Sequence, residues 1–139
     1  MTFKTILFLT ILTLSGSALG KKGGYYYSEG VEQLFIEAAK NNDLDEIKTL
    51  LDDYSDDGGI PGYKNGAMVY AARMGHKDIV EYLLENGANI SSCRDKLTAL
   101  EWASKNGHTE MVELLLEQGV GFDLRDLQNA LMYADKNGH

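Results

Sequence analysis

One phrase recurs along this chain at a nearly constant interval. Residues 71–87 read AARMGHKDIVEYLLENG, and residues 103–119 read ASKNGHTEMVELLLEQG. An alanine pair or its equivalent occurs at 38–39, 71–72, 103–104 and 134–135, with intervals of 33, 32 and 31 residues. Repetition at this interval predicts a stack of similar units, because each unit is too small to bury its apolar face alone.

Each copy of the phrase contains two helical patterns. The first is short and has small residues that allow close helix packing. It ends where Gly75, Gly107 or Gly138 can adopt the positive φ of a helix C-cap. The second has apolar residues at three-and-four spacing, as in IVEYLL at 79–84, and its other face is acidic. The sequence therefore predicts an all-α chain of helix–turn–helix units.

This pattern resembles the ankyrin repeat, which reads roughly T-P-L-H-x-A-A-x-x-G-H-x-x-V-V-x-L-L-L-x-x-G-A. Residues 98–108, TALEWASKNGH, match its first half, and residues 111–119 match its second half. The resemblance covers about residues 31–139. It implies a stack of about four repeats, at about 31–62, 63–94, 95–126 and 127–139, of which the last is incomplete.

The chain departs from the family pattern at several positions. The proline of the pattern is replaced in every copy, by Leu34, Ala67, Ala99 and Ala130. Its first histidine is replaced by Ile36, Val69, Glu101 and Met132. The first copy has Asn42 and Asp43 in place of Gly-His, and residues 52–64 are expected to form a long irregular connection. These departures lower the expected stability of individual repeats but leave the fold prediction unchanged.

The recurring Gly-His pairs allow two interpretations. The resemblance implies that His76 and His108, with Gly75 and Gly107, are structural and tie the end of the first helix to neighbouring loops. The alternative is a metal-binding protein or an enzyme that uses the histidines. Residues one repeat apart should lie about 10 Å from each other, as packed helices do, and a metal with bonds near ~2 Å cannot join them. We therefore expect no metal and no cofactor, and we expect His139, at the end of the chain, to fray.

Other signals of chemistry are missing from the sequence. It contains no G-x-S-x-G, H-E-x-x-H or C-x-x-C motif and no phosphate-binding loop, so we expect no catalytic residues. The net charge of −8 argues against nucleic acid as a partner. Cys93 is the single cysteine, so no disulfide can form within the chain.

The first twenty residues have the layout of a secretory signal peptide. Lys4 is followed by an apolar run and then by small residues that end in Ala18-Leu19-Gly20. The apolar run is too short to span a bilayer core of about 30 Å. We expect cleavage after Gly20 and a mature chain free of the membrane. Residues 21–30 then form a flexible or capping segment, in which Tyr25–Tyr27 either cover the end of the stack or form a contact patch.

A candidate binding face follows the Ala pairs. The resemblance implies that the two variable residues after each pair line the concave side of the stack. They are Lys40 and Asn41, Arg73 and Met74, Lys105 and Asn106, and Lys136 and Asn137. Asn65 and Asp95 are expected in bordering loops, and Asn89 begins a glycosylation sequon. The recurring cations have a second explanation, since positive charge near a helix C-terminus offsets the helix dipole.

These signals together predict a secreted or periplasmic monomer without catalytic activity. It should bind another protein on the concave face. The recurring cations Lys40, Arg73, Lys105 and Lys136 would form a basic stripe there, which fits a partner with an acidic surface. A truncated, nonfunctional remnant of a longer repeat protein is a further alternative.

Overall fold

The computed structural model describes residues 20–22, 25–27, 29–55, 60–89, 99–118 and 122–139. The helices in these ranges are α1 (Glu29–Lys40), α2 (Leu44–Asp53), α3 (Ile60–Met74), α4 (Lys77–Glu85), α5 (Ala99–Lys105), α6 (Thr109–Glu117) and α7 (Leu124–Lys136). The first helices of the repeats, α1, α3, α5 and α7, pack side by side in chain order. The second helices α2, α4 and α6 each pack on the first helix of the same repeat. The predicted all-α repeat stack is confirmed.

A short antiparallel hairpin precedes the helices. Strand β1 (Gly20–Lys22) pairs with strand β2 (Tyr25–Tyr27), and Lys21 lies opposite Tyr26. What the three tyrosine side chains cover stays a prediction. Residues 1–19 of the expected signal peptide lie outside the described residues. Within the described part of the chain, no helix combines the length and the apolar character needed to cross a membrane.

The first helix of every copy ends in the same way. Four equivalent residues have positive φ: Asn42 at 56°, Gly75 at 81°, Gly107 at 73° and Gly138 at 75°. The amide of the next residue donates back to the carbonyl of the first alanine of the pair, over 2.9–3.0 Å. This Schellman ending satisfies carbonyls that the helix leaves free. Asn42 therefore preserves in the first copy the conformation that glycine provides in the others.

The last residue of the chain does not have the frayed position expected of it. The amide of His139 donates to the carbonyl of Ala134 over 2.9 Å, as in the inner copies. Its ring lies close to Gly107: a Cβ added to Gly107 would be 2.6 Å from Cε1 of the His139 ring. Both contacts fix His139 in the same place as His108 in the preceding copy.

The core lies between the first and second helices and continues from one repeat to the next. The alanine pairs or their equivalents in the first three copies are buried and let the first helices approach closely. The second helices contribute Ile47 and Leu50, then Ile79, Val80 and Leu83, then Met111, Leu114 and Leu115. At the first repeat boundary, the rings of Phe35 and Tyr63 stack with centroids 5.8 Å apart. Apolar burial of this kind, without a disulfide among the described residues, supplies the main favourable term in folding.

The connection expected over residues 52–64 is shorter than the sequence suggested. Helix α2 continues to Asp53, and α3 begins at Ile60. Pro61 lies in the first turn of α3, where its missing N–H removes no helical hydrogen bond. As a result Asn65, which was expected in a loop, lies on helix α3.

Candidate functional site

The two inner histidines each connect neighbouring repeats. The ring Nε2 of His76 lies 3.1 Å from the carbonyl oxygen of Lys40, and that of His108 lies 3.0 Å from the carbonyl oxygen of Arg73. Because a carbonyl oxygen only accepts, each Nε2 carries the proton and donates it. Both residues hold the N-cap position of a second helix, but neither side chain caps that helix. Instead each ring donates a hydrogen bond to the C-terminal end of the first helix of the preceding repeat.

Metal ligation has little support in this arrangement. The Nε2 atoms of His76 and His108 are engaged in hydrogen bonds to the backbone. No group of three or more His, Cys, Asp or Glu side chains that could hold a metal ion occurs within residues 20–22, 25–27, 29–55, 60–89, 99–118 and 122–139.

Three of the asparagines proposed as contact residues use their side chains within the fold. The amide nitrogen of Asn106 donates to the carbonyl of Arg73 over 2.7 Å, beside the bond from His108. The amide nitrogen of Asn137 donates to the carbonyl of Tyr133 over 2.7 Å. The side-chain oxygen of Asn65 accepts from the backbone N–H of Asn89 over 2.7 Å. These side chains hold helix ends and loops in place, so they are less available to a partner than their positions suggest.

Three of the four basic residues predicted to line the binding face, Lys40, Arg73 and Lys105, lie against aromatic rings. The ammonium of Lys40 is 4.9 Å from the centre of the Tyr70 ring, and the guanidinium carbon of Arg73 is 4.3 Å from Trp102. The ammonium of Lys105 is 4.9 Å from Trp102 and 5.9 Å from the Tyr133 ring. We call this alternating set the cation–aromatic row: Lys40, Tyr70, Arg73, Trp102, Lys105, Tyr133 and Lys136 at its end.

The row crosses the repeat boundaries. Tyr70 belongs to the copy after Lys40, Trp102 to the copy after Arg73, and Tyr133 to the copy after Lys105. Cation–π attraction of this kind contributes about 0.5–1 kcal/mol at an exposed site. The rings therefore stabilise the stack and also hold each cation at a set place on the surface.

Helix dipoles stabilise the four basic residues of the row, and no carboxylate among the described residues neutralises them. Lys40, Arg73, Lys105 and Lys136 each occupy the last turn of a first helix, where the helix dipole is negative. Within the described part of the chain, none of the four is paired with a carboxylate. Dipole compensation therefore applies to these four side chains, and the basic binding stripe stays a prediction.

The aromatic members of the row were not predicted as site residues. Their signal is visible in the sequence, since Tyr70, Trp102 and Tyr133 each directly precede an alanine pair, where the first copy has Glu37. An aromatic residue beside small buried residues is more often part of a core. Only the packing of successive repeats brings these rings under the cations of the preceding copy.

The remaining candidates divide into exposed residues and residues outside the described ranges. Asn41 and Met74 are exposed beside Lys40 and Arg73, and the side chain of Met74 is 50% exposed. Asn89 is exposed as well, whereas Ser91 of its sequon lies outside the described residues. Asp95 and Cys93 also lie outside them.

Comparison with known proteins agrees with this geometry. A family model described as "Ankyrin repeats (3 copies)" matches residues 34–126 and again residues 91–139. The chain therefore belongs to the ankyrin repeat family. Ankyrin repeats generally bind other proteins and are generally not catalytic.

A curated relative shares part of the stack. The chain is 41% identical over 63 residues to the protein named E3 ubiquitin-protein ligase XBAT33 of Arabidopsis thaliana. The match covers 41% of this chain and 12% of the relative. The similarity therefore concerns a small part of that protein's length.

Proposed function

We propose that this chain is a non-catalytic binding protein that contacts another protein along the cation–aromatic row. The observation that carries the proposal is the recurrence of a cation, held against an aromatic ring, at the same position in successive repeats. Membership of a family that generally binds proteins supports it. So does the absence of a metal-binding cluster from the described residues.

The chemistry of the row favours a partner with an acidic surface. The row contains four cations, and in the described part of the chain none has a carboxylate neighbour within ion-pair distance. Complementary charge across an interface raises the association rate and the specificity. The aromatic rings hold Lys40, Arg73 and Lys105 in place before the partner arrives, which lowers the entropy lost on binding. Arg73 adds a planar guanidinium suited to bidentate carboxylate contacts.

We also propose that the protein is exported, so that its partner is an extracellular or periplasmic protein. This proposal rests on the arrangement of residues 1–20, in which Lys4, an apolar run and small residues before Gly20 follow the order of a signal peptide. After cleavage the chain would begin at Lys21, within strand β1.

Two other functions fit the chain less well. An enzyme or metal protein built on His76 and His108 would need ring nitrogens that already bond backbone carbonyls. The name of the relative includes a ligase activity, but the match covers 12% of that protein's length. We do not propose that activity for this chain.

The test reverses the charge of the row. Changing Arg73→Glu and Lys105→Glu together should abolish capture of the physiological partner, identified first with the unaltered chain from extracellular fluid. The helical circular dichroism signal should remain, because both residues lie in the last turn of a helix, where Arg73 is exposed and Lys105 is half-buried. Raising the salt concentration should weaken the unaltered complex, since screening shortens electrostatic reach.

The matched control changes the same number of charges on the second helices. Glu81→Lys and Glu113→Lys lie on α4 and α6, away from the row. They should leave capture nearly unchanged. Loss of binding in this control variant, with binding retained in the Arg73→Glu, Lys105→Glu variant, would assign the binding face to the second helices instead.

A further inference from the structure

Several large apolar side chains are exposed on the last two helices of the stack, α6 and α7. On α7, Leu124 and Leu131 are each 72% exposed, Met132 is 48% exposed and Leu127 is 41% exposed. Leu116, on the adjacent repeat's helix α6, is 44% exposed. We call these five residues the C-terminal end face. Leu124, Leu127 and Leu131 follow helical spacing, so they form a stripe along one side of α7.

Two of these positions, those of Leu131 and Met132, are buried in the inner repeats. Leu131 corresponds to Leu100 and Met68, which are 1% and 0% exposed. Met132 corresponds to Glu101 and Val69, which are 3% and 8% exposed. A terminal repeat that remains uncovered usually carries polar residues on its outer face. The C-terminal end face keeps the apolar character of an inner repeat boundary, which indicates that another surface covers it.

We propose that a second copy of this chain covers the C-terminal end face, and that two α7 helices pair antiparallel about a two-fold axis. Among the described residues, the exposed large apolar side chains are the five of this face and Met74, and none lies on α1 at the opposite end. As far as its side chains are described, helix α1 offers no exposed large apolar side chain to a head-to-tail contact. Pairing two identical C-terminal faces buries apolar groups from both copies and closes the assembly as a dimer.

The charges of α7 favour the antiparallel arrangement. The helix has Asp126 in its first turn and Lys136 in its last turn. Full antiparallel overlap brings the first turn of one copy beside the last turn of the other. It also brings Arg125 near Asp135. Within one copy Arg125 is 81% exposed, and among the described residues its ion pair is a long one to Asp123, at 3.9 Å, so it is available to a partner. This proposal replaces the sequence-based expectation of a monomer.

Sedimentation equilibrium of the full chain tests the proposal. We expect a concentration-dependent rise in mass from 15.4 kDa toward the dimer. Leu131→Glu should raise the dissociation constant at least tenfold, because it places a charge in the apolar contact. Met74→Glu is the matched control, since Met74 is similarly exposed but lies outside the C-terminal end face, and it should leave the constant unchanged.

A charge exchange tests the orientation. Arg125→Glu alone should weaken the dimer, and Arg125→Glu with Asp135→Arg should restore it, because the two-fold axis pairs these positions in both directions. A chain that stays monomeric up to about 1 mM would overturn the proposal, since even millimolar affinity would then be visible. So would association that survives Leu131→Glu, which would indicate another surface. A monomer that Leu131→Glu destabilises would show that a segment of the same chain covers the face.

Discussion

His108 shows how a single side chain joins two repeats. Its Nε2 donates to the carbonyl of Arg73, and its ring lies against Gly75. The carbonyl that it reaches belongs to the end of a first helix, where helical partners are missing. The ring thus satisfies a polar group and fills space at the same boundary. His76 makes the same bond one repeat earlier, to Lys40.

Replacing either histidine should destabilise the stack. His76→Ala or His108→Ala removes one inter-repeat hydrogen bond, and we expect the free energy of unfolding to fall by roughly 1–2 kcal/mol. Urea unfolding followed by circular dichroism measures the change. Gln33→Ala is a suitable control, because its side chain makes only an exposed bond to Glu37 within α1.

The metal content of the same proteins tests the competing interpretation. If the histidines are structural, neither substitution alters bound metal. Stoichiometric zinc in the purified protein, lost in either variant, would contradict the structural role.

At the scale of the helix, the positive-φ endings decide where each first helix stops. Sequence alone predicted these endings, because Gly75, Gly107 and Gly138 recur after the alanine pairs. Asn42 fits the same series, since asparagine tolerates the left-handed region better than most residues. The connection at 52–64 was predicted less well. There Pro61 and Gly62 are typical of a loop, whereas in the structure they belong to the first turn of α3.

The glycines of α3 and of its ending should respond oppositely to alanine. At Gly75, φ is 81° and an added Cβ would be 2.9 Å from the His108 ring, so Gly75→Ala should cost about 1–3 kcal/mol. At Gly66, in the middle of α3, the nearest atom to an added Cβ is 3.6 Å away. Gly66→Ala should therefore stabilise by about 0.4–1 kcal/mol. Thermal unfolding measures both.

A third glycine, Gly138, distinguishes the two causes of the stability loss expected for Gly75→Ala, which are backbone strain and contact with the His108 ring. Gly138 has φ of 75°, and an added Cβ would meet nothing within 4 Å. Gly138→Ala then reports the backbone strain alone. If Gly75→Ala costs no more than Gly138→Ala, the contact with the His108 ring adds nothing to the requirement for glycine.

At the scale of the whole molecule, the cation–aromatic row contrasts with the overall charge. The chain has a net charge of −8, yet the row contains four basic residues. Salt screens the charges of the row over a Debye length of about 8 Å, so the row acts mainly at short range. The period of the cations was predictable from the sequence. The positions of the rings beneath them were not, because they depend on how far each repeat is rotated against the next.

The export proposal also concerns the whole chain. Expression in a secreting host should yield a product that begins at Lys21, because the small residues before that position fit a signal-peptide cleavage site. Mass spectrometry of the secreted protein measures its first residue. A mature protein that retains Met1, or Thr2 after removal of Met1, would contradict the proposal.

The position of Trp102 has a consequence for observing the molecule. It is the single tryptophan of the chain, and both the guanidinium of Arg73 and the ammonium of Lys105 lie within 5 Å of its ring centre. Indole emission depends on the charges and the water next to the ring. The protein therefore contains a natural fluorophore at the centre of its proposed binding surface, and contact there can be followed by light without attaching a dye.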